Sequence, residues 1–506
     1  MAIPTGAHPS RWSYQAWAMP RNVASATTGN VCAVTAAGHH GTVPRQRPVD
    51  APTVVHRTAR IALRTTPAQR RRCFGLLRSA GDVWACVLEL NAIRRHRGAH
   101  GLVTYQELCR ELSADGPGTF GELSRVGARS VLRRYSDVWM TTAKQGRAGD
   151  MSAHYPRRKK GLVPSRYYAG TFALEGRQLK LPTARGAAPL VVRLTREVPY
   201  PAPSIRSVTL LADGARLCVD VTAEIEVETY ALGEAPDPDK IAGVDLGIIH
   251  PFAVVADEGS LLVGRALRAE SRLHLADTKA RRRAVVRRAP SKGQRGSRRW
   301  RKFRARTRVL EGRHHRRLAQ ARHEGATAVV DFARDNRIGT LVVGDPRGVL
   351  NKDAGARQNL ATRNWRVGQL IAVLKDKAQA AGIEVILVDE RGTSSTCCRC
   401  GNKVPKPRGR NFSCPHCALG AHRDMVGAIN IASRSPRGGI NVDPTRLAIT
   451  HRRAGRHLPG RTRRDPRRVA LEQRGHLVGL GPAVARPVDV DTDGHGESLA
   501  RDASAA

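Results

Sequence analysis

Two tight cysteine pairs stand in CCRCGNKVPKPRGRNFSCPHC: Cys397-x-x-Cys400, thirteen intervening residues, then Cys414-x-x-Cys417. Each pair supplies two thiolates from one knuckle, and two knuckles close a tetrahedral zinc site. With all four positions filled by protein, such a zinc holds a fold and does no chemistry. Cys398 and His416 are spare donors, but either would break the two-plus-two symmetry. A second chemistry needs carboxylates. Cleaving a phosphodiester with two divalent ions requires several acids converging on metals about 3.5–4 Å apart, so that attacking and leaving oxygens are both neutralised. Asp245 fits one such place. It ends the apolar run IAGVD, and Gly247, lacking a β-carbon, admits metal or nucleic acid closely.

The rest of the chain bounds what these residues can serve. A length of 506 residues allows two to four domains. A formal net charge of +43 repels itself unless a polyanion neutralises it, and nucleic acid is the commonest such partner. No run of about 18 apolar residues occurs, and the N-terminus lacks a charged segment followed by an apolar core. Membrane surface is therefore the weaker alternative as partner, and a soluble, cytoplasmic protein is expected. Cys32, Cys73, Cys86, Cys109, Cys218 and Cys398 are isolated and read as buried or incidental thiols, which fits a reducing compartment.

The elements that carry these residues follow from periodicity. Residues 1–52 lack sustained periodicity and read as a flexible extension. VVHRTARIALR at 54–64 alternates as a half-buried strand, and Thr66-Pro67 opens a helical pattern. A helical recognition module is expected over 67–149. From 150 to 230 the period becomes two, with hairpins in TFALEGRQLKLP and SVTLLADGARLCVDVTAEI, the second turning at Asp213-Gly214. Together with 53–66 these strands predict a small, wedge-type β-barrel into which the helices are inserted. YPRRKKG at 155–161 sets four consecutive cations at its edge, suited to phosphate.

An α/β region is expected over 240–392 and 421–435: three strands in meander, then alternating helices and strands, the layout of a ribonuclease-H-like sheet. A basic helical insertion occupies 270–335, acid-free from Thr278 to Leu310 while Arg and Lys recur, which favours polyphosphate contact. A zinc ribbon is placed at 393–420, and residues 436–506 read as a disordered basic tail. The fold class is thus multidomain α+β.

At this point the residues carry a resemblance. GVDLGI at 243–248, TSSTCCRCG at 393–401, CPHC at 414–417 and HRDMVGAINIA at 422–432 resemble the split RuvC-like nuclease of TnpB transposon proteins and of the miniature type V CRISPR effectors, of the compact V-U or V-N-like kind. Weaker similarity extends through IALRTTPAQRRR at 61–72, so that the match covers roughly 54–435. The resemblance implies an RNA-guided, Mg²⁺-dependent DNA endonuclease, acting beside a short flanking motif through one RuvC-like site. It also implies a guide RNA and a double-stranded DNA target as partners; a monomeric protein is expected within that ribonucleoprotein. Asp245 matches the first catalytic acid and Asp424 the last.

The second, a glutamate at a strand end, aligns with Gly344 in LVVGDPRG. Three explanations stand. Glu390, in VDERGTSST, ends the next strand about 4.8 Å away and is long enough to replace it. Asp345 is adjacent, but a one-residue shift turns its side chain to the other face. Or cleavage has been lost, leaving a guided DNA-binding protein that represses transcription. Asp389 then reads as a cap or turn acid and Glu384 as pointing away. The family pattern also singles out Arg423 as a charge stabiliser and Arg410 as a contact to the displaced strand, while Trp300, Phe303 and Trp365 lie in basic stretches where rings stack on bases. A zinc-ribbon RNA-binding protein without guided activity is a further alternative, which would leave Asp245 and Asp424 idle.

Overall fold

The computed structural model describes residues 45–113, 120–149, 153–157, 161–286, 289–291, 293–349, 355–405 and 409–454. Within them, the strand Val54–Arg64 is the hinge of a seven-stranded antiparallel sheet. Its first nine residues pair with Arg216–Glu226 and its last two with Leu190–Leu194, so one strand passes from one half of the sheet to the other and curls it. From edge to edge the order is Ser165–Tyr168, Ile205–Asp213, Arg216–Glu226, Val54–Arg64, Leu190–Leu194, Gln178–Leu181 and Ala173–Glu175. The two outer strands are not paired with each other among the described residues. The hydrogen bonding is therefore that of a curled sheet, where the sequence suggested a closed barrel.

Three helices lie between the first strand of this sheet and the next. Pro67–His96 starts on a capping box, Thr66 accepting from the Gln69 amide while Gln69 reaches back to the Thr66 amide. Tyr105–Ser113 and Arg125–Arg147 follow, the latter capped by Ser124. Their apolar faces share one core with the sheet: Leu77, Trp84 and Val131 lie with Ile61, Tyr167 and Leu179.

The second sheet has six strands in the order Glu384–Asp389, Ile338–Asp345, Asp237–Asp245, Ala253–Ala256, Gly259–Val263 and Ile449–Arg452. The middle three form an antiparallel meander, while Ile338–Asp345 and Glu384–Asp389 run parallel to Asp237–Asp245. Such strands are buried on both faces, and alternation divides their side chains between two cores. Ala242, Val244, Leu341 and Val343 face the helices Arg298–Asp335 and Val367–Ala380. Ile241, Val342 and Val388 face Ile431 of the helix Arg423–Ala432.

Three sequence expectations change. The extension expected to be flexible through residue 52 is ordered from Arg45, because Arg45–Gln46 pairs with Tyr230–Ala231. The tail expected to be disordered from 436 is ordered through 454: Ile449–Arg452 adds a parallel edge strand to Gly259–Val263, and Ala454 is buried. The cationic segment and the amphipathic helix after it are one 38-residue helix, Arg298–Asp335, preceded by Ala266–Val286. Arg158, Lys159 and Lys160 of the cationic stretch at 155–161 lie outside the described residues, as do residues 455–506. No described helix is long and apolar enough to cross a membrane.

Candidate functional site

Strand parity decides which acids share a side. Asp245 has the parity of Ile241 and Gly243, on the face covered by Arg423–Ala432. The approach there is close because Gly243 has no side chain: a β-carbon would lie 2.0 Å from the Ala428 carbonyl oxygen. A β-carbon on Gly427, in the same helix, would sit 3.3 Å from Asp245 Oδ2. Burial, and then the charge of Asp424, pushes the Asp245 carboxyl up to about 7.

Gly344 has the parity of Val342 and so faces the same helix. It pairs in register with Val388, and Asp345 with Asp389. Glu390 therefore continues the parity of Val388, toward Gly344, and Asp345 and Asp389 take the other. A β-carbon on Gly344 would stand 2.7 Å from Ile431 Cδ1, 3.0 Å from Glu390 Oε2 and 3.1 Å from Glu390 Cβ. The glutamate crosses the space that the glycine leaves. Its Oε2 is buried without a hydrogen-bond partner, and burial followed by the Asp245 charge pushes the carboxyl up to about 8. Asp345, by contrast, is held by Arg347 at 2.5 Å, which keeps it below the usual carboxylate range.

The four-cysteine segment leads into Asp424. Asn411–Ser413 pairs antiparallel with Gly420–His422, and the chain turns directly from His422 into the helix bearing Asp424. Cys397 Sγ lies 3.6 Å from Cys417 Sγ, and Cys400 Sγ 3.7 Å from Cys414 Sγ, with all four within 4.8 Å of one another. Zn–S bonds of about 2.3 Å in a tetrahedron set sulfur atoms about 3.8 Å apart, so the cysteines fit one zinc ion. Cys398 stays outside the group: burial pushes its thiol up to about 11. His416 is exposed. Asp424 is 5% exposed; its Oδ1 accepts from Arg410 Nη1 at 2.5 Å, and its Oδ2 is buried without a partner.

Family models match two stretches of the chain: "Probable transposase", of the IS605 OrfB type, over residues 217–350, and "Cas12f1-like, TNB domain" over 368–431. A TnpB-like protein of Acidianus two-tailed virus is 25% identical over 222 residues, 43% of this chain and 47% of that protein. The CRISPR-associated endodeoxyribonuclease Cas12f1 of Sulfoacidibacillus thermotolerans is 34% identical over 112 residues, 22% of this chain and 25% of that protein. Over these stretches the chain is similar to TnpB-like proteins and to the miniature type V effectors. It spans about half and about a quarter, respectively, of the two curated relatives. Among solved structures, the Cas12f1–sgRNA–target DNA complex resembles this chain with a TM-score of 0.49 and 16% identity, covering 72% of this chain and 82% of that one.

In this chain, Asp245, Glu390, Asp424, Arg410 and Arg423 all line a single cleft of about 720 Å³, with Asp345 and Asp389 at its wall. The three inward acids do not form a tight triad: the second described group whose donor atoms all lie within 4.8 Å is His250, His422 and Asp424. Both histidines escaped the sequence reading. His250 Nδ1 lies 3.1 Å from the Val263 carbonyl, its Nε2 accepts from Arg265, and His422 Nδ1 is buried and unpaired. Asn430, equally unforeseen, donates to the Thr393 and Thr396 carbonyls and ties the loop after Glu390 to the helix. Arg423 reaches Ser394 at 3.5 Å, beside the acids. Trp300 and Phe303 stack on each other on the long helix, 6.0 Å apart, and Trp365 packs against the sheet core. Glu384 is exposed and paired with Arg437. The orphaned oxygens of Glu390 and Asp424, the burial that raises Asp245 and Glu390, and the repulsion that Asp424 adds at Asp245 and Asp245 at Glu390 are what a hard divalent cation would relieve, so the donor set fits Mg²⁺.

Proposed function

We propose that this chain is an RNA-guided DNA endonuclease with a single RuvC-like site. The observation that supports it is the placement of Glu390: the residue that stands where the second acid is missing is a glycine, and the neighbouring strand's acid reaches through the gap to the side where Asp245 and Asp424 lie. Mg²⁺, when bound, would supply neutralisation of the attacking and leaving oxygens of a phosphodiester. Asp245, Glu390 and Asp424 would hold it. Asp424 is shared with Arg410, so the guanidinium has to swing from the carboxylate toward a scissile phosphate as the cleft loads. Arg423, at the same wall, adds a second cation facing that phosphate.

Specificity in this reading comes from base pairing, and the charge of +43 is the surface on which guide RNA and target DNA backbones lie. The curled sheet with its inserted helices would read the short flanking motif, and the zinc ribbon would lead the target strand to the acids. The protein is expected to purify with RNA bound and to act as a monomer. The test is cleavage of supercoiled target plasmid with the copurified guide and Mg²⁺ or EDTA. Nicking or linearisation that needs both guide and Mg²⁺, and that Glu390→Ala abolishes while target binding persists, is the expected result. Guided binding with no cutting by the wild type would establish the repressor-like alternative.

A further inference from the structure

Beside the acid-lined cleft lies a smaller cavity of about 230 Å³ that shares Gly247, Ile248, Arg268, Ala361 and Trp365 with it. Leu267, Leu275, Leu318 and Leu370 give its walls an apolar floor, and Ser271, Arg272 and Asn364 add polar groups. Into this setting the long helix Arg298–Asp335 sends Arg322, only 6% exposed. No described residue gives that guanidinium a hydrogen bond or an ion pair. Burial, aided by the neighbouring charge of Arg366, lowers it to about 10. A desolvated cation without a counter-charge is costly, so the site is incomplete as it stands. A second group repeats the pattern: the indole Nε1 of Trp365 is buried without a partner. Ser271, which also lines the cavity, already donates its hydroxyl to the Leu267 carbonyl at 2.9 Å. The cavity thus offers buried donors between leucine side chains and one aromatic ring, with further polar groups at Arg272 and Asn364, on a scale below the ~300–1,000 Å³ of drug-sized pockets.

We propose that this cavity receives one unstacked guanine base of the DNA strand that enters the cleft, with Arg322 donating to O6 and N7 and Trp365 Nε1–H supplying a further donor. The fork of a guanidinium matches the two adjacent acceptors of guanine. Adenine presents an amine beside N7, and cytosine an amine at the equivalent edge, so both would set donor against donor. Arg268 and Arg272, on one face of the helix Ala266–Val286, meet the backbone of the same strand. Unstacking costs a few kcal/mol and is smallest in a strand already displaced from its duplex. The inference rests on reading the adjoining cleft as a nucleic-acid site, but the binding step requires neither guide nor metal.

The experiment is a titration of the full-length protein, labelled with ¹⁵N-tryptophan, by dGMP, dAMP, dCMP and inorganic phosphate. The Trp365 indole resonance is assigned through Trp365→Phe. dGMP should shift that resonance and bind at least about tenfold more tightly than dAMP or dCMP. Arg322→Gln should weaken dGMP about tenfold or more and erase the preference. Arg322→Lys keeps a cation without the fork and should lose the preference too, which guards against a misfolded glutamine variant. Equal binding of dAMP, an unchanged preference in Arg322→Lys, or saturation of the same shift by inorganic phosphate would overturn the proposal. The Glu390→Ala protein should titrate as the wild type does, so failure of the nuclease reading and failure of the base site are distinguishable.

Discussion

Glu390 Oε2 lies 3.0 Å from the point a β-carbon on Gly344 would occupy. Gly344 is not in a left-handed conformation, so its need for glycine is one of space. Any side chain there meets Glu390 and Ile431 together. Gly344→Ala should therefore overpack the site, costing about 1–3 kcal/mol, and should lower any cutting activity by displacing Glu390. Gly344→Glu combined with Glu390→Ala moves the acid back one strand, and should recover more activity than Glu390→Ala alone. Thermal melts and plasmid cleavage of the four proteins decide this; a Gly344→Ala protein as stable and active as the wild type would show that the gap is not used.

Glu390→Gln removes charge while preserving shape. Its carboxyl is pushed up to about 8 by burial and by Asp245, so at neutral pH the wild-type site without a cation holds this acid protonated. The glutamine variant should be no less stable in EDTA than the wild type, yet cut at least about a hundredfold more slowly with Mg²⁺. Melting in EDTA and single-turnover cleavage separate the two effects, and comparable cleavage rates would remove Glu390 from the site.

Arg410 belongs to the ribbon and Asp424 to the helix that follows it, and their 2.5 Å contact joins the two. Arg410→Ala leaves a carboxylate that is 5% exposed without its cation. The loss should approach the low end of the ~3–5 kcal/mol typical of breaking a buried pair, because Arg410 itself is partly exposed. A divalent cation can take the guanidinium's place, so millimolar Mg²⁺ should restore more stability to this variant than it adds to the wild type. An equal Mg²⁺ effect on both would mean that Asp424 takes no part in holding the ion.

The ribbon also predicts a metal content. Four sulfur atoms within 4.8 Å should bind one zinc per chain, measurable by elemental analysis. Cys414→Ser should lose it. Since the exit strand Gly420–His422 leads straight into the helix of Asp424, chelation should reduce cleavage even though the zinc does no chemistry. Full zinc occupancy in the serine variant would refute the four-cysteine assignment.

These sites were unequally legible in the sequence. The cysteines were readable because ligand spacing on a knuckle is local, and Asp245 because it ends an apolar run. Glu390 followed from two general distances, the spacing of strands and the period of two, once Gly344 was seen to lack a side chain. What sequence could not reveal were relations made only by folding. The Arg410–Asp424 pair joins residues on a hairpin and a helix whose packing fixes the contact. His250 and His422 meet in space from segments 172 positions apart, with ring centroids 5.9 Å apart. Ile449–Arg452 carries too little alternation to read as a strand. Its pairing comes from the open edge of Gly259–Val263, a tertiary effect that overrides local propensity.

The two basic helices carry a titratable lock that makes the fold sensitive to acid. His274 stacks on His314 at 3.7 Å, His314 Nδ1 lies 3.4 Å from Glu270 Oε1, and Arg317 approaches the same carboxylate at 3.8 Å. Burial, then the proximity of His314, lowers His274 to about 4; the hydrogen bond with His314 holds Glu270 below the usual carboxylate range. An unfolded histidine titrates near ~6.5, so between pH 6.5 and 4 the unfolded chain takes up a proton that folded His274 refuses. Its contribution is therefore intact above about 6.5 and falls as the pH drops toward about 4. Glu270 acts in the same direction at lower pH: its contribution is present above the unfolded carboxylate pKa and is lost as pH falls through the depressed folded value. Melting temperature should thus decline from pH 7 to pH 4, and His274→Gln should flatten the upper part of that decline while leaving the part below about 4.3. An unaltered slope between pH 6.5 and 5 in the glutamine variant would show that His274 is not the group responsible.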